Sequence, residues 1–79
     1  MISKEVMIMI TYKPLWKTLI DKDMKKMDLV SDGTISRGTL AKMGKNQKVS
    51  LDVIEKICGR LHCKVEEVIV YDENIEQNG

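Results

Sequence analysis

The spacing of apolar residues changes twice along this 79-residue chain, and each change predicts a different kind of element. From Val6 to Tyr12, apolar and β-branched residues follow one another, which is typical of a short strand or of an arm that becomes a strand when paired. Between residues 13 and 69 the apolar residues recur at helical spacing. From Val68 to Tyr71 every residue is β-branched or aromatic, which favours a second strand.

These patterns predict one mainly α domain with a short β-strand near each end. A chain this short buries a modest fraction of its surface, so a partner chain would add useful burial. We expect an N-terminal strand or arm, a helical core, a C-terminal strand and a frayed polar tail, at residues 1–12, 13–69, 68–73 and 74–79.

The outer helices of the core have clear apolar faces. The first is expected to begin at Pro14, whose fixed φ suits the first turn of a helix. The fourth is expected to begin after Ser50, a good N-cap, and to end at His62 in a left-handed conformation. A short fifth helix is predicted over residues 64–67. The residues expected to face the core are Leu15, Trp16, Leu19 and Ile20 in the first helix, Leu51, Ile54, Ile57, Cys58 and Leu61 in the fourth, and Val65, Val68 and Ile69 around the fifth.

The stretch from Lys26 to Met43 reads as two short helices joined by a tight turn. Residues 32–34, Asp-Gly-Thr, break the helix, because glycine tolerates positive φ and the side chains beside it bond locally to the backbone. Ser36 then suits the N-cap of a helix over residues 36–45. Its back carries Thr39, Leu40 and Met43, and its front carries Arg37, Gly38, Ala41, Lys42 and Lys45. A capped helix with an apolar back and a small, basic front suits insertion into a DNA major groove.

Two blocks of this sequence resemble the Xre family of helix-turn-helix transcriptional regulators, the small repressors related to phage Cro. The blocks are residues 35–43, ISRGTLAKM, and residues 49–58, VSLDVIEKIC, and the similarity extends over residues 15–69. The resemblance implies a five-helix, lambda-repressor-like DNA-binding domain. It also implies DNA contacts from the start of the second helix, from the third helix and from the loop after it, namely Lys26, Ser36, Arg37, Gly38, Thr39, Lys42, Lys45, Asn46 and Lys48.

The second helix departs from that family's pattern. Lys25 and Lys26 stand where the family usually has Ser or Thr followed by Gln, and Val30 stands where it favours Ala. Gly33 lies one residue before the family's glycine position, which Thr34 occupies here. We therefore expect a wider helix crossing and a turn that is tighter or shifted by one residue.

The charges are unevenly distributed, although the formal net charge is only +1. Residues 12–64 hold twelve of the thirteen Lys and Arg residues but six of the twelve Asp and Glu residues. A basic body with acidic ends is compatible with a nucleic-acid face, although many soluble domains show fluctuations of this size. Affinity for DNA would come from phosphate neutralisation by Lys26, Lys45, Lys48 and Lys17, and specificity from Arg37, Thr39 and Lys42.

Other chemistry has little support in the sequence. Cys58, His62 and Cys63 lie close together, but no fourth ligand has the spacing of a zinc site, so we expect two buried thiols and no metal or cofactor. One histidine and no phosphate-binding loop argue against an enzyme. RNA binding is not favoured, because stacking aromatic side chains are lacking: Trp16 is expected to face the core, and the chain has no Phe. No signal peptide and no membrane span are evident, which predicts a cytoplasmic protein. Nothing in the sequence resembles an effector domain, so no small-molecule effector is expected.

The leading hypothesis is a small, sequence-specific, dimeric DNA-binding repressor that inserts its third helix into the major groove of double-stranded DNA. The terminal strands are expected to pair with each other, and two chains to associate through that sheet and the neighbouring helical surface. The alternative is a protein-interaction module of the antitoxin or antirepressor type that keeps the scaffold but binds DNA weakly. Gly38 fits both hypotheses, as a neutral surface residue or as a point of close approach to DNA.

Overall fold

Four α-helices and a two-stranded sheet make up the computed structural model, which describes the backbone of residues 6–75 and the side chains of residues 9–72. The ends of the predicted N-terminal arm and tail, residues 1–5 and 76–79, lie outside the described residues. The elements are β1 (Val6–Thr11), α1 (Lys13–Asp21), α2 (Lys26–Ser31), α3 (Arg37–Gly44), α4 (Leu51–Leu61), a 3₁₀ turn (Val65–Glu67) and β2 (Val70–Ile75). The prediction of a mainly α domain with short terminal strands is confirmed.

A single 3₁₀ turn stands where a fifth helix was expected. Its three residues, Val65–Glu67, close when the Val68 N–H donates to the Val65 carbonyl oxygen at 2.8 Å. The β-branched residues that follow prefer extended backbone, so the turn does not grow into an α-helix. Val68 is fully buried, and it anchors this turn to the core before β2 begins.

The two strands pair antiparallel, with Thr11 opposite Val70 and Val6 opposite Ile75. The second strand thus begins at residue 70 and continues to residue 75, whereas the sequence pattern placed it at 68–73 and left 74–79 as tail. The Lys13 ammonium lies 3.2 Å from the Asp72 carboxylate and ties the start of α1 to β2. The sheet therefore joins the two ends of the helical body.

Residues from all four helices meet in one core. Its buried apolar side chains are Tyr12, Leu15, Leu19, Leu29, Ile35, Met43, Ile54, Ile57, Leu61 and Val68. Trp16, expected as a core anchor, is half-buried and packs against the edge of this cluster. Burial of so many aliphatic side chains supplies the main stabilisation of a domain of this size.

Three residues expected to face the core are exposed instead: Ile20 is 74% exposed, Leu51 79% and Val65 51%. Helical phase explains the first, because α1 buries positions 15, 18 and 19, and position 20 lies outside that face. Thr18 faces inward in its place, and its hydroxyl donates to the Glu67 carbonyl oxygen at 2.8 Å. Leu51 is the first residue of α4 and lies beyond the end of the core.

Candidate nucleic-acid interface

The turn between α2 and α3 is set by local hydrogen bonds around Gly33. This glycine has φ +84°, a conformation that only glycine adopts readily. The Asp32 carboxylate accepts from the Thr34 backbone N–H at 3.0 Å and from the Thr34 hydroxyl at 2.6 Å. The left-handed residue thus lies one position before the usual glycine of the resembled family. Ile35, 7% exposed, then anchors the turn in the core.

A second contact holds the same turn to α4. The Arg60 guanidinium donates through Nε to the Asp32 carboxylate at 2.6 Å. The pKa of Asp32 is lowered, first by the hydroxyl and backbone hydrogen bonds of Thr34 and then by Arg60, so the carboxylate remains an ionised acceptor at neutral pH. No local sequence signal connects Arg60 to this unit, because its partner Asp32 is 28 positions away in the chain.

The third helix presents a polar face to solvent and an apolar face to the core. The Ser36 hydroxyl caps it by accepting from the Thr39 N–H at 3.1 Å, and it donates to Thr39 Oγ1 at 3.0 Å. The predicted N-cap is therefore in place. Met43 is fully buried on the opposite side, and Thr39 is half-buried as expected. The exposed residues on the front are Ser36, Arg37, Gly38, Ala41 and Lys42.

The loop after α3 has a defined backbone despite its polar sequence. Asn46 adopts φ 57°, and the Gln47 N–H donates to the Lys42 carbonyl oxygen at 2.9 Å. The Tyr12 phenol, almost fully buried, donates to the Gln47 carbonyl oxygen at 2.7 Å. The three predicted phosphate-binding residues of this region are all exposed on this fixed loop: Lys45, Asn46 and Lys48.

Replacing Tyr12 with phenylalanine tests how firmly this loop is held. We expect the free energy of unfolding to fall by about 0.5–1.5 kcal/mol, because the variant loses one hydrogen bond and leaves a carbonyl without its partner. Urea denaturation measures the change. Tyr71→Phe is the matched control, because Tyr71 is 69% exposed, and it should leave the urea midpoint unchanged. Equal losses in the two variants would contradict this role of Tyr12.

Lys26 lies apart from the other predicted residues, at the first position of α2. Its ammonium group lies 4.4 Å from the centroid of the Trp16 ring, a cation–π geometry. Lys56 of α4 was not predicted, yet it lines a groove of about 450 Å³ together with Ser36 and Thr39. The only sequence signal for Lys56 was its positive charge.

Within the described part of the chain, no group of three metal-ligating side chains is close enough to hold an ion. No helix among residues 6–75 is long and apolar enough to cross a bilayer. The exposed polar face of α3 and the fixed loop that follows it form the candidate site.

Most of the chain is similar to a known DNA-binding domain and to a known transcriptional regulator. A sequence profile of the Cro/C1-type HTH DNA-binding domain matches residues 14–74, a span that includes α2, the turn, α3 and α4. The crystal structure of transcriptional regulator VanUg is similar to this chain, with 42% sequence identity and a TM-score of 0.76. The similarity covers 87% of this chain and 89% of the other. No curated protein sequence gave a match.

Proposed function

The chain belongs to the Cro/C1-type helix-turn-helix DNA-binding family, and we propose that it is a sequence-specific regulator of transcription that reads DNA with α3. One observation carries this proposal: α3 has an exposed basic face, and on its opposite side Met43 is buried in the core. A rigidly seated helix with Arg37 and Lys42 on its outer side suits the major groove. The proposed role is binding, in the cytoplasm, and not catalysis.

Base reading and phosphate binding are assigned to different parts of this surface. We assign guanine recognition to Arg37, at the first turn of α3, because a guanidinium can bond two acceptors of that base. Thr39 and Lys42 lie farther along the helix. Lys45 and Lys48 extend from the fixed loop and would neutralise phosphates. The remaining proposed contacts are Ser36, Gly38, Asn46, Lys26 and, from the groove geometry, Lys56.

Selection of bound sites from a random duplex pool tests this function. At about 150 mM salt, we expect one sequence to be enriched, and its affinity to fall steeply as salt increases. Titration of the enriched duplex against a scrambled duplex gives the specificity ratio. No enrichment, with only weak and salt-sensitive binding, would contradict sequence-specific recognition and would favour the protein-interaction alternative.

We further propose that the active form is a homodimer that places two α3 helices about one DNA turn apart. Within residues 6–75 the sheet has only two strands, which leaves a pairing edge on each. Beside the sheet, an apolar cavity of about 110 Å³ opens next to Ile10 and Leu51. Leu51 and Val65 line one groove and are 79% and 51% exposed, and Tyr71, on β2, is 69% exposed.

Leu51→Glu tests the dimer, because a charge at this exposed position should disrupt association without disturbing the core. We expect light scattering at micromolar concentration to report a dimer for the unaltered chain and a monomer for Leu51→Glu. Ile20→Glu is the matched control, since Ile20 is 74% exposed on α1. A monomeric unaltered chain would contradict the proposal.

The groove lined by Leu51 and Val65 also supports the second candidate function, a module that binds another protein. Leu51 and Val65 would then contact that protein, and DNA binding would be weak and insensitive to sequence. The random-pool selection separates the two functions, since only a DNA reader enriches a defined duplex.

Gly38→Ala distinguishes the two interpretations of this glycine. An added Cβ would meet only Ser36 Oγ, at 3.9 Å, so alanine should stabilise the helix by about 0.5–1 kcal/mol. If α3 approaches DNA closely at Gly38, affinity for the selected duplex should fall while stability rises. Gly59→Ala is the control, because Gly59 lies within α4 with no atom within 4 Å of an added Cβ. The Gly59→Ala variant should gain similar stability and keep full affinity for the duplex. Unchanged affinity in Gly38→Ala would show that Gly38 is a neutral surface residue.

A further inference from the structure

The C-terminal end of α4 brings two cysteines together. The helix ends at Leu61, and His62 adopts the predicted left-handed conformation with φ 54°. The Cys63 N–H then donates to the Cys58 carbonyl oxygen at 3.2 Å. This six-residue bond defines a Schellman motif, in which the side chains of the two bonded residues commonly touch. In this chain both of those residues are cysteines.

Both cysteines are unpaired thiols, and each is half-buried. Burial raises the pKa of Cys63, and the nearby Cys58 thiol and Glu67 raise it further, while Lys22 lowers it. The contribution of Cys58 to the raised pKa of Cys63 agrees with the backbone hydrogen bond, which places the two residues side by side. The helix end fixes the backbone between them, through the left-handed His62 and the bond from Cys63 N–H to the Cys58 carbonyl oxygen.

We propose that Cys58 and Cys63 form a reversible intrachain disulfide that locks the end of α4, with a small-molecule disulfide such as oxidised glutathione as the oxidant. A disulfide joins Cα atoms that are about 4.4–6.8 Å apart. The hydrogen bond from Cys63 to Cys58 brings the two backbones together at the end of α4. This inference does not depend on DNA binding.

The oxidation proceeds by two thiol–disulfide exchanges. The Cys58 thiolate attacks one sulfur of oxidised glutathione, which forms a mixed disulfide and releases one glutathione thiolate. The Cys63 thiolate then attacks Cys58 Sγ, which closes the intrachain bond and releases the second glutathione. Both cysteine thiols lose a proton and are oxidised together by two electrons, and oxidised glutathione is reduced to two glutathione molecules.

The second exchange should be slow at neutral pH and faster at higher pH. A raised pKa keeps Cys63 protonated at pH 7, and only its thiolate can attack. The groups that act on Cys63 are Cys58 on α4, Glu67 on the 3₁₀ turn and Lys22 after α1, while His62 and Lys64 beside it are exposed. Closure should therefore accelerate by up to about tenfold per pH unit until Cys63 ionises.

The test uses the full chain in glutathione buffers of increasing oxidised fraction, followed by acid quenching, alkylation and intact mass measurement. We expect the oxidised monomer to lose the mass of two hydrogen atoms and to accept no alkyl group. Cys58→Ser and Cys63→Ser should each stop at a glutathione adduct. Thermal melting should rise on oxidation in the unaltered chain, and neither variant should show that rise.

Three results would overturn the proposal: two alkylated thiols at full oxidation, a stable glutathione adduct on the unaltered chain, or a disulfide between two chains. Each is read from mass alone. A failure here therefore leaves the proposed DNA-binding function untouched, and the reverse also holds.

Discussion

Replacing Met43 with alanine should lower the free energy of unfolding by about 2–5 kcal/mol. Met43 is fully buried in the core and lies near the end of α3. Alanine would remove most of the contacts of this side chain and leave a cavity beneath α3. Since a domain of this size has a total stability of roughly 4–12 kcal/mol, such a loss would be a large share of it. Urea denaturation with fluorescence of Trp16 measures the change.

Met27→Ala is the matched control, because Met27 belongs to α2 but is 42% exposed. We expect it to cost less than about 1 kcal/mol. Met43→Ala should also weaken DNA binding at temperatures where the chain is still folded, because α3 would pack less firmly on the core. Similar urea midpoints for the two variants would show that Met43 does not hold α3 on the core.

Periodicity predicted the helices well wherever the apolar residues formed a continuous stripe. In α4, positions 54, 57 and 61 are buried as expected, because their spacing follows the helical repeat. Leu51 continues the same stripe but is exposed. Periodicity gives the direction of a side chain around its helix, whereas burial also depends on how far the neighbouring elements extend. That second quantity is set by the tertiary fold.

The candidate site was predictable where its structure depends on near neighbours in the chain. The Ser36 cap involves residues three apart, and the left-handed Gly33 follows from the backbone freedom of glycine. The bond from Tyr12 to Gln47 joins residues 35 positions apart, and that from Arg60 to Asp32 joins residues 28 apart. Many polar side chains could have been the partner in each case, so the sequence alone did not select one.

Arg37→Ala should weaken binding to the selected duplex by about 1–3 kcal/mol, roughly 5- to 150-fold. Arg37 is exposed at the first turn of α3, directly after the Ser36 cap, and a guanidinium there can bond two acceptors of guanine. Alanine favours helix and fills no buried site, so stability should change little. Fluorescence anisotropy on the selected and scrambled duplexes measures both affinities.

The two duplexes separate base reading from charge. If Arg37 reads a base, its loss should be large on the selected duplex and small on the scrambled one, and alternative bases should be tolerated at one position. Lys48→Ala should instead weaken binding to both duplexes alike and reduce the slope of log affinity against log salt by about one. Lys64→Ala, outside the helix-turn-helix unit, controls for the loss of a positive charge. Equal weakening on both duplexes for Arg37→Ala would make Arg37 a phosphate contact and assign specificity to Lys42 and Thr39, since α3 also presents those side chains.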